Sequence, residues 1–313
     1  MYKLAHFIMH SKAAAYIAAL LYIVVWGFRS VQGGGFDLSG CLGVLLALMA
    51  GYLSVRVTRE LSLGNGKHVL SATLFFMGCA VAPQLNLASA EGVHFMLFSV
   101  ASSVLLHTHR VRNAMGGYFL AFLFIGIQCL MTPTLLLALP ALVLCGAFVD
   151  SLHARTLLAA LWGLLCPFWV VGSVLFLMDR TALIAPYFGQ IWPSMSSVSE
   201  VWGSCWLWMP VVWTLLLAVP GSVVILLNRT MKLQTSARLR FVIFSLVVLL
   251  VAACLSLGCY TALMPSVLMA ASLIGAALFV GEDSRARNIY LLVLVILWLV
   301  ALGLQIWSNS IMY

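Results

Sequence analysis

Apolar runs long enough to cross a lipid bilayer follow one another along nearly the whole chain. A helix that crosses the hydrocarbon core needs about 20 mostly apolar residues. Its backbone polar groups must be paired within the protein, which favours helices. The sequence therefore predicts an all-α fold: a single integral membrane domain over residues 1–313, built as a bundle of about eleven transmembrane helices. The predicted segments are roughly 13–30, 37–55, 69–85, 92–107, 114–131, 133–149, 156–177, 209–227, 241–258, 264–280 and 289–307.

The composition excludes a large water-soluble domain. Hydrophobic residues make up 64% of the chain and charged residues only 8%, and the mean hydropathy is +1.12. Soluble domains carry about 25% charged and 45–50% apolar residues. No water-soluble core has room for this much apolar surface.

The basic residues set the expected orientation, because cytoplasmic loops carry the excess of Lys and Arg. With the N-terminus in the cytoplasm and eleven crossings, 14 of the 16 basic residues fall on the cytoplasmic face, and only Arg29 and Arg180 fall outside. The net charge of +8 is then a topology signal and predicts no nucleic-acid partner. We expect a multi-pass protein of a bacterial cytoplasmic (inner) membrane, with its C-terminus outside and membrane lipids as its partners.

One pair of predicted helices is less clearly separated than the others. Segments 114–131 and 133–149 form a single long apolar run that is divided only at Met131-Thr132-Pro133-Thr134. Proline disfavours helical backbone at the residue before it, so Thr132 is the expected break.

The longest connection is the predicted outer one, residues 179–208, which is too long for an idle link. It is rich in Trp and Tyr, the residues that concentrate where lipid meets water. We expect one or two short helices lying along the outer interface. Such a segment serves either as a lid over a site or as an interfacial anchor, and its aromatic enrichment favours the anchor.

Charged residues are absent from the central turns of all predicted spans. Ion-coupled carriers usually place such groups within the membrane despite the cost. Without them, a proton relay would depend on Gln84, Gln128 or the pair Ser102-Ser103. The sequence therefore argues against a coupled pump.

A first candidate site lies on the outer face, whose strongly polar side chains are few. Asp37, Arg180 and Glu200 are the catalytic candidates there, since enzymes that use polyprenyl-phosphate sugars need an outer carboxylate for acid–base work. Asp37 is equally explained as the N-cap of the second helix. The other strongly polar residues predicted outside are Arg29, Glu91, His94 and Asp179.

A second candidate site lies on the cytoplasmic face, where histidines gather. His6 and His10 share one helical face, and His107 and His109 add two more imidazoles, the commonest metal ligands in proteins. The spacing resembles part of the pattern of histidine-iron oxygenases. No second closely spaced histidine motif follows in the sequence, however, and few carboxylates are present to complete a metal site. We therefore predict no bound metal and no cofactor.

A third group of residues is predicted to contact lipid headgroups. The cytoplasmic connection 228–240 carries four cations next to a helix, and such clusters attract anionic lipids. Topology determination alone also explains them. They are Arg229, Lys232, Arg238 and Arg240.

The region from Asn113 to Leu177 contains Thr132-Pro133, then Arg155, then Trp162-Gly163 followed by Pro167. This order resembles a family of bacterial inner-membrane proteins of about 300 residues, close to the 313 here. The family is a domain of unknown function. In it a helix ends in a proline-containing turn, a cytoplasmic Arg follows, and then comes a Trp-Gly-x-x-x-Pro-like helix. The resemblance implies a similar length and helix count, and no catalytic residue.

Three functional classes remain open from the sequence. The first, which we favour, is a protein without its own chemistry that is accessory to lipid or cell-envelope processes. The second is a polyprenyl-phosphate-linked glycosyltransferase or another envelope-polymer enzyme. The third is a histidine-iron membrane oxygenase. Outer carboxylates in one cavity would favour the second class, and converging cytoplasmic histidines the third.

Overall fold

All the regular secondary structure described in the computed structural model is helical. The predicted all-α fold class is therefore confirmed for the part of the chain that the structure describes. The structure describes residues 7–8, 11–32, 38–60, 68–82, 89–108, 111, 114–145, 152–192, 208–227, 233–254, 257–279 and 285–311.

The α-helices are numbered α1 to α12 in chain order. Two 3₁₀ segments, Pro133–Ala138 and Thr181–Leu183, accompany them. The α-helices are Lys12–Gln32 (α1), Leu38–Glu60 (α2), His68–Val81 (α3), Ser89–His107 (α4), Met115–Met131 (α5), Leu139–Cys145 (α6), Ala154–Leu177 (α7), Ile184–Gly189 (α8), Trp208–Leu227 (α9), Leu233–Ala253 (α10), Leu257–Leu278 (α11) and Arg285–Ile311 (α12).

Each of the eleven predicted segments coincides with helical structure. Six helices are long and apolar enough to cross a membrane, namely those within α2, α7, α9, α10, α11 and α12. The remaining predicted segments match shorter apolar stretches, of 10–17 residues, within the other helices. The chain is thus a multi-pass membrane protein by helix length and composition, while the count of eleven crossings and the sides of the termini stay predictions.

The described chain divides into two compact units. The first comprises Met1–Ser89, Ser204–Met231 and Leu268–Tyr313, and α3 is buried along its length within it. Indole nitrogens of two other helices donate to the backbone of α3: Trp213 to the carbonyl of Leu74 at 3.4 Å, and Trp298 to that of Met77 at 2.9 Å. These bonds satisfy tryptophan N–H groups that would otherwise be buried without a partner.

The second unit comprises Ala90–Gly203 and Lys232–Val267. Its closest helix pair is α5 with α7, which approach through glycines. The absent side chain of Gly163 leaves room for the backbone of Phe119, and a Cβ at position 126 would lie 2.7 Å from the carbonyl oxygen of Leu164. Small residues allow such close approach in membrane helices. Gly163 of α7 lies against Phe119 of α5, and Pro167, further along α7, lies against Gly126, further along α5. The contacts follow the same order in both helices, so the two helices are parallel.

The parallel direction of α5 and α7 requires that the intervening chain return across the bundle. The predicted helix 133–149 differs from the structure here, because the return is broken into the 3₁₀ segment Pro133–Ala138 and the seven-residue α6. At about 2.0 Å and 1.5 Å of rise per residue, the two pieces together reach about 22 Å. Thr132 adopts extended backbone (φ −131°, ψ 92°), as its position before Pro133 predicts.

Helix α7 ends in a left-handed residue, Asp179, with φ 56°. The amide of Asp179 donates to the carbonyl of Phe176 at 3.1 Å, and that of Arg180 donates to the carbonyl of Leu175 at 2.9 Å. This pair of bonds is the Schellman motif, which usually has glycine at the left-handed position. The backbone of Asp179 and Arg180 therefore terminates α7, and this role does not depend on their side chains.

Candidate functional site

Polar side chains of the second unit meet where α4 begins and α5 ends. The Nε2 atom of His94 lies 3.1 Å from the hydroxyl oxygen of Thr132. The side-chain amide of Gln128 donates to the backbone carbonyl of His94. His94 is 4% exposed and Gln128 is 1% exposed. We call these three residues, together with Tyr187, the His94 cluster.

The described residues supply no hydrogen-bond partner for two buried polar atoms of the cluster, Nδ1 of His94 and Oε1 of Gln128. The orientation of the Gln128 amide follows from its neighbour, because only the NH₂ group can donate to a carbonyl. Its Oε1 atom can therefore only accept. The free Nδ1 donates or accepts according to the tautomer that the contact with Thr132 selects.

An unsatisfied buried polar atom costs about 1–3 kcal/mol. Two such atoms lie here on residues that are bonded to each other, which makes this cluster a candidate site for a polar group of a ligand. When Nδ1 carries the proton, a single hydroxyl has the groups to satisfy both atoms: it donates its hydrogen to Oε1, and its oxygen accepts from the N–H at Nδ1.

The break at Thr132 positions its hydroxyl for His94. The amide of Thr132 still closes the last turn of α5 by donating to the carbonyl of Gln128 at 2.8 Å. The next residue, Pro133, has no N–H and starts the 3₁₀ segment, so the chain turns away there. Interrupted helices frequently provide binding sites within membranes because they free backbone and side-chain polar groups.

Tyr187 of the short helix α8 closes the cluster from the predicted outer connection. Its hydroxyl donates to the carbonyl of Cys129 at 2.6 Å, and its ring lies 6.2 Å from that of Phe168. Burial, and to a lesser extent the neighbouring Cys129, raises the pKa of Tyr187 to about 12. The hydroxyl therefore remains a protonated donor at physiological pH.

The buried polar residues of the described chain are neutral. They are mainly Ser and Thr, with His94, Gln128 and Asn288, and no Asp, Glu, Lys or Arg is among the described side chains that are buried. Many of the hydroxyls bond a carbonyl of their own helix, such as Ser99 with Phe95 at 2.8 Å. The bonds of the His94 cluster instead join separate helices, and the cluster contains two buried atoms for which the described residues supply no partner.

The structure places four of the eleven sequence-predicted site residues. Arg180 is exposed just after α7, and His107 is exposed at the end of α4. On α10, Arg238 is half-buried and Arg240 is exposed. Seven others lie outside the described residues: Asp37, Glu200, His6, His10, His109, Arg229 and Lys232.

His107 and His94 belong to opposite ends of α4. They are 13 positions apart, which corresponds to about 20 Å along the helix axis, so the two imidazoles cannot serve one site. Within the described ranges, no three His, Cys, Asp or Glu side chains come close enough to hold a metal ion.

Comparisons with protein-family models, with curated proteins and with solved structures find no match. The function therefore has to be inferred from the residues of the chain itself.

Sequence reasoning identified the members of the cluster only in part. Gln128 stands out as a polar residue within a span, and His94 as one of the few polar residues predicted outside. Their proximity was missed, because residues 34 positions apart carry no local pattern. The signal that was available is the predicted topology, which brings the start of segment 92–107 and the end of segment 114–131 to the same face.

Proposed function

We propose that this chain is a multi-pass protein of a bacterial cytoplasmic membrane, accessory to the handling of a lipid or cell-envelope component. In this proposal the His94 cluster binds a hydroxyl of that component. The observation that carries the proposal is a pair of buried atoms, Nδ1 of His94 and Oε1 of Gln128, that have no partner within the described part of the chain.

The position of the cluster supports a ligand that reaches it from the outer leaflet. The positive-inside rule assigns the start of α4 and the end of α5 to the outer face. Tyr187, in the predicted outer connection, bonds the end of α5. A hydroxyl at that level belongs to the headgroup or glycerol region of a lipid.

The neutral character of the described interior supports an accessory role over ion-coupled transport. Coupled carriers use buried acids or bases as relays, and the described buried side chains contain none of the four strongly charged types. The enzyme alternative depends on Asp37 and Glu200, which lie outside the described residues, and it stays a prediction.

The proposal is tested by observing the imidazole of His94 directly. Protein labelled with ¹⁵N-histidine is placed in phosphatidylcholine nanodiscs, with or without a minor fraction of monoglucosyl diacylglycerol. This neutral lipid adds sugar hydroxyls and no charge. We expect the Nδ1 signal of His94, assigned with His94→Gln, to shift when the glycolipid is present.

Two variants separate binding from a general effect of the lipid. Gln128→Leu removes the acceptor and is expected to abolish the shift, whereas Ser103→Ala, on the same helix α4 and outside the cluster, is expected to retain it. An Nδ1 signal that is identical with and without the glycolipid, in a correctly folded protein, would refute the binding role. The cluster would then be a structural contact completed by internal water.

A further inference from the structure

A crevice of about 380 Å³ lies among α1, α2 and α3 in the first unit. Lys12 and Arg59 line one end of it, and Leu48, Gly51 and Phe76 line the other. Its volume falls in the range of small-molecule sites, about 300–1,000 Å³. No residue of this crevice belongs to the His94 cluster.

Two contacts between α2 and α3 set the geometry of the crevice. The hydroxyls of Thr58 and Ser71 are 2.8 Å apart, which holds the end of α2 against the start of α3. Deeper in, the ring of Phe76 lies directly on Gly51, where a Cβ would collide with it. The two helices are therefore antiparallel, and the cations stand at the end where their connection lies.

The crevice changes from charged to apolar along its length. From Arg59 to Leu48, eleven residues of α2 correspond to about 16 Å. Past the two cations, the walls are Ala, Val, Leu and Phe side chains with two tyrosines. Tyr16 and Tyr52 are 73% and 71% exposed, so their rings offer apolar surface that nothing in the described chain covers.

Lys12 and Arg59 are both exposed and have no described ion-pair partner. Lys12 stands in the first turn of α1, which carries no acidic residue, and the positive end of the helix dipole adds to its charge. Two cations without a described partner and a helix N-terminus at one mouth make a site for an anion, and Arg suits a phosphate through paired N–H donors.

We propose that this crevice binds one anionic diacyl phospholipid of the cytoplasmic leaflet. Lys12 and Arg59 hold the phosphate, and an acyl chain lies along the apolar wall towards Phe76. Basic pockets between transmembrane helices on the cytoplasmic side have the chemistry that binds such headgroups. The positive-inside rule alone explains two cytoplasmic cations, but it does not explain an apolar crevice that begins between them.

The test is native mass spectrometry of the protein titrated with phosphatidylglycerol or with phosphatidylcholine in detergent. We expect one phosphatidylglycerol to be retained per chain, and phosphatidylcholine to be retained more weakly. The double variant Lys12→Gln, Arg59→Gln is expected to weaken the phosphatidylglycerol affinity by about tenfold or more, since each of the two cations strengthens binding of the negatively charged phosphate. Inorganic phosphate is not expected to displace the lipid, because it lacks the acyl chain.

Arg155→Gln with Arg285→Gln is the matched control. Both of these residues are exposed, both are predicted on the same face, and neither lines the crevice. The control is expected to bind phosphatidylglycerol as the wild type does. Ala19→Phe, which fills the crevice and keeps both cations, is expected to lower the affinity as well.

Equal loss in the two double variants would assign the binding to general surface charge and overturn the proposal. Unchanged affinity in the Lys12 and Arg59 variant would also overturn it. Displacement of the lipid by inorganic phosphate would show that the crevice binds anions in general and would overturn the lipid proposal.

Discussion

The imidazole of His94 and the hydroxyl of Thr132 are 3.1 Å apart, although 38 positions separate the two residues in the sequence. This contact ties the start of α4 to the residue at which α5 breaks. Among the described residues, the hydrogen-bond partner of the His94 ring is thus supplied by a residue whose conformation Pro133 restricts. The helix break and the candidate site are therefore one structural feature.

Replacing Thr132 by Val should destabilise the protein by about 1–2 kcal/mol, because it leaves Nε2 of His94 buried without its partner. In a double-mutant cycle, His94→Phe with Thr132→Val should cost less than the sum of the single changes, by at least about 0.5 kcal/mol. Unfolding by denaturant in detergent micelles measures these differences. Ser103→Ala serves as the control, and strictly additive effects would show that the two side chains do not interact.

Gly163→Ala should lower stability by about 1–3 kcal/mol, the usual cost of overpacking. The new methyl group meets the backbone of Phe119, which cannot move aside as a side chain would. Gly172→Ala is the matched control on α7, because nothing lies within 4 Å of its Cβ position. Thermal unfolding of both variants checks the prediction, and similar midpoints for the two would contradict the close packing of α5 and α7.

Asp179→Gly should retain or increase stability by up to about 1 kcal/mol, because glycine adopts positive φ freely. Asp179→Val should lose about 1–3 kcal/mol, since a β-branched residue is strained there. Asp179→Asn tests the charge separately, and we expect it to behave like the wild type. Loss of stability in the glycine variant would mean that the carboxylate, and not the backbone conformation, matters at this position.

Removing the hydroxyl of Tyr187 should change how stability depends on pH. The pKa of Tyr187 is raised by burial from 10 to about 12 in the folded protein. Its contribution is then complete below pH 10 and is lost as the pH rises towards 12. Below pH 10 the wild type should be more stable than Tyr187→Phe by about 1 kcal/mol, because the variant lacks the hydrogen bond of the hydroxyl. Between pH 10 and pH 12 the wild type should lose this advantage. Parallel stability curves from pH 8 to 12 would show that the hydroxyl is not buried.

Reporter fusions test the topology in two independent ways. The positive-inside distribution predicts cytoplasmic signals after Lys67, Arg112 and Arg238, and outer signals after Glu91 and Glu200. Because α5 and α7 are parallel, we also expect fusions at their C-terminal ends, Met131 and Leu177, to give the same signal. A fusion at Ala154, the start of α7, should give the opposite signal. Opposite signals at Met131 and Leu177 would contradict the parallel pair even if the basic residues were sorted correctly.

The helices were predictable because lipid imposes one simple requirement on a sequence, a continuous apolar run. The neighbours of each helix were not predictable in the same way. The most apolar parts of α7 and α11 have mean hydropathies of 2.0 and 1.8. Yet 17% of the residues in the first stretch are buried, against 94% in the second. Protein and lipid are both apolar surroundings, so hydropathy alone does not distinguish a helix that faces lipid from one that faces other helices.

The candidate site was predictable only as separate polar residues. Gln128 and His94 stand out against apolar neighbours, but the bonds between them depend on how α4 packs against α5. Arg180 and Asp179 were noted for their charge, whereas the structure gives their backbone the role of ending α7. The left-handed conformation of Asp179 has no sequence signal, because glycine is the residue that usually marks it.

The direction of α5 and α7 has a consequence for how the chain is made. α5 is synthesised first, and α7 becomes available only after the short, proline-interrupted stretch Pro133–Cys145 has left the ribosome. Two parallel helices cannot pair until the stretch between them has run back in the opposite direction, so Gly163 reaches Phe119 only after residues 115–163 have been synthesised. A nascent chain that stops before residue 163 leaves the face of α5 that carries Phe119 and Gly126 without its partner helix, so this packing forms late in the synthesis of the region.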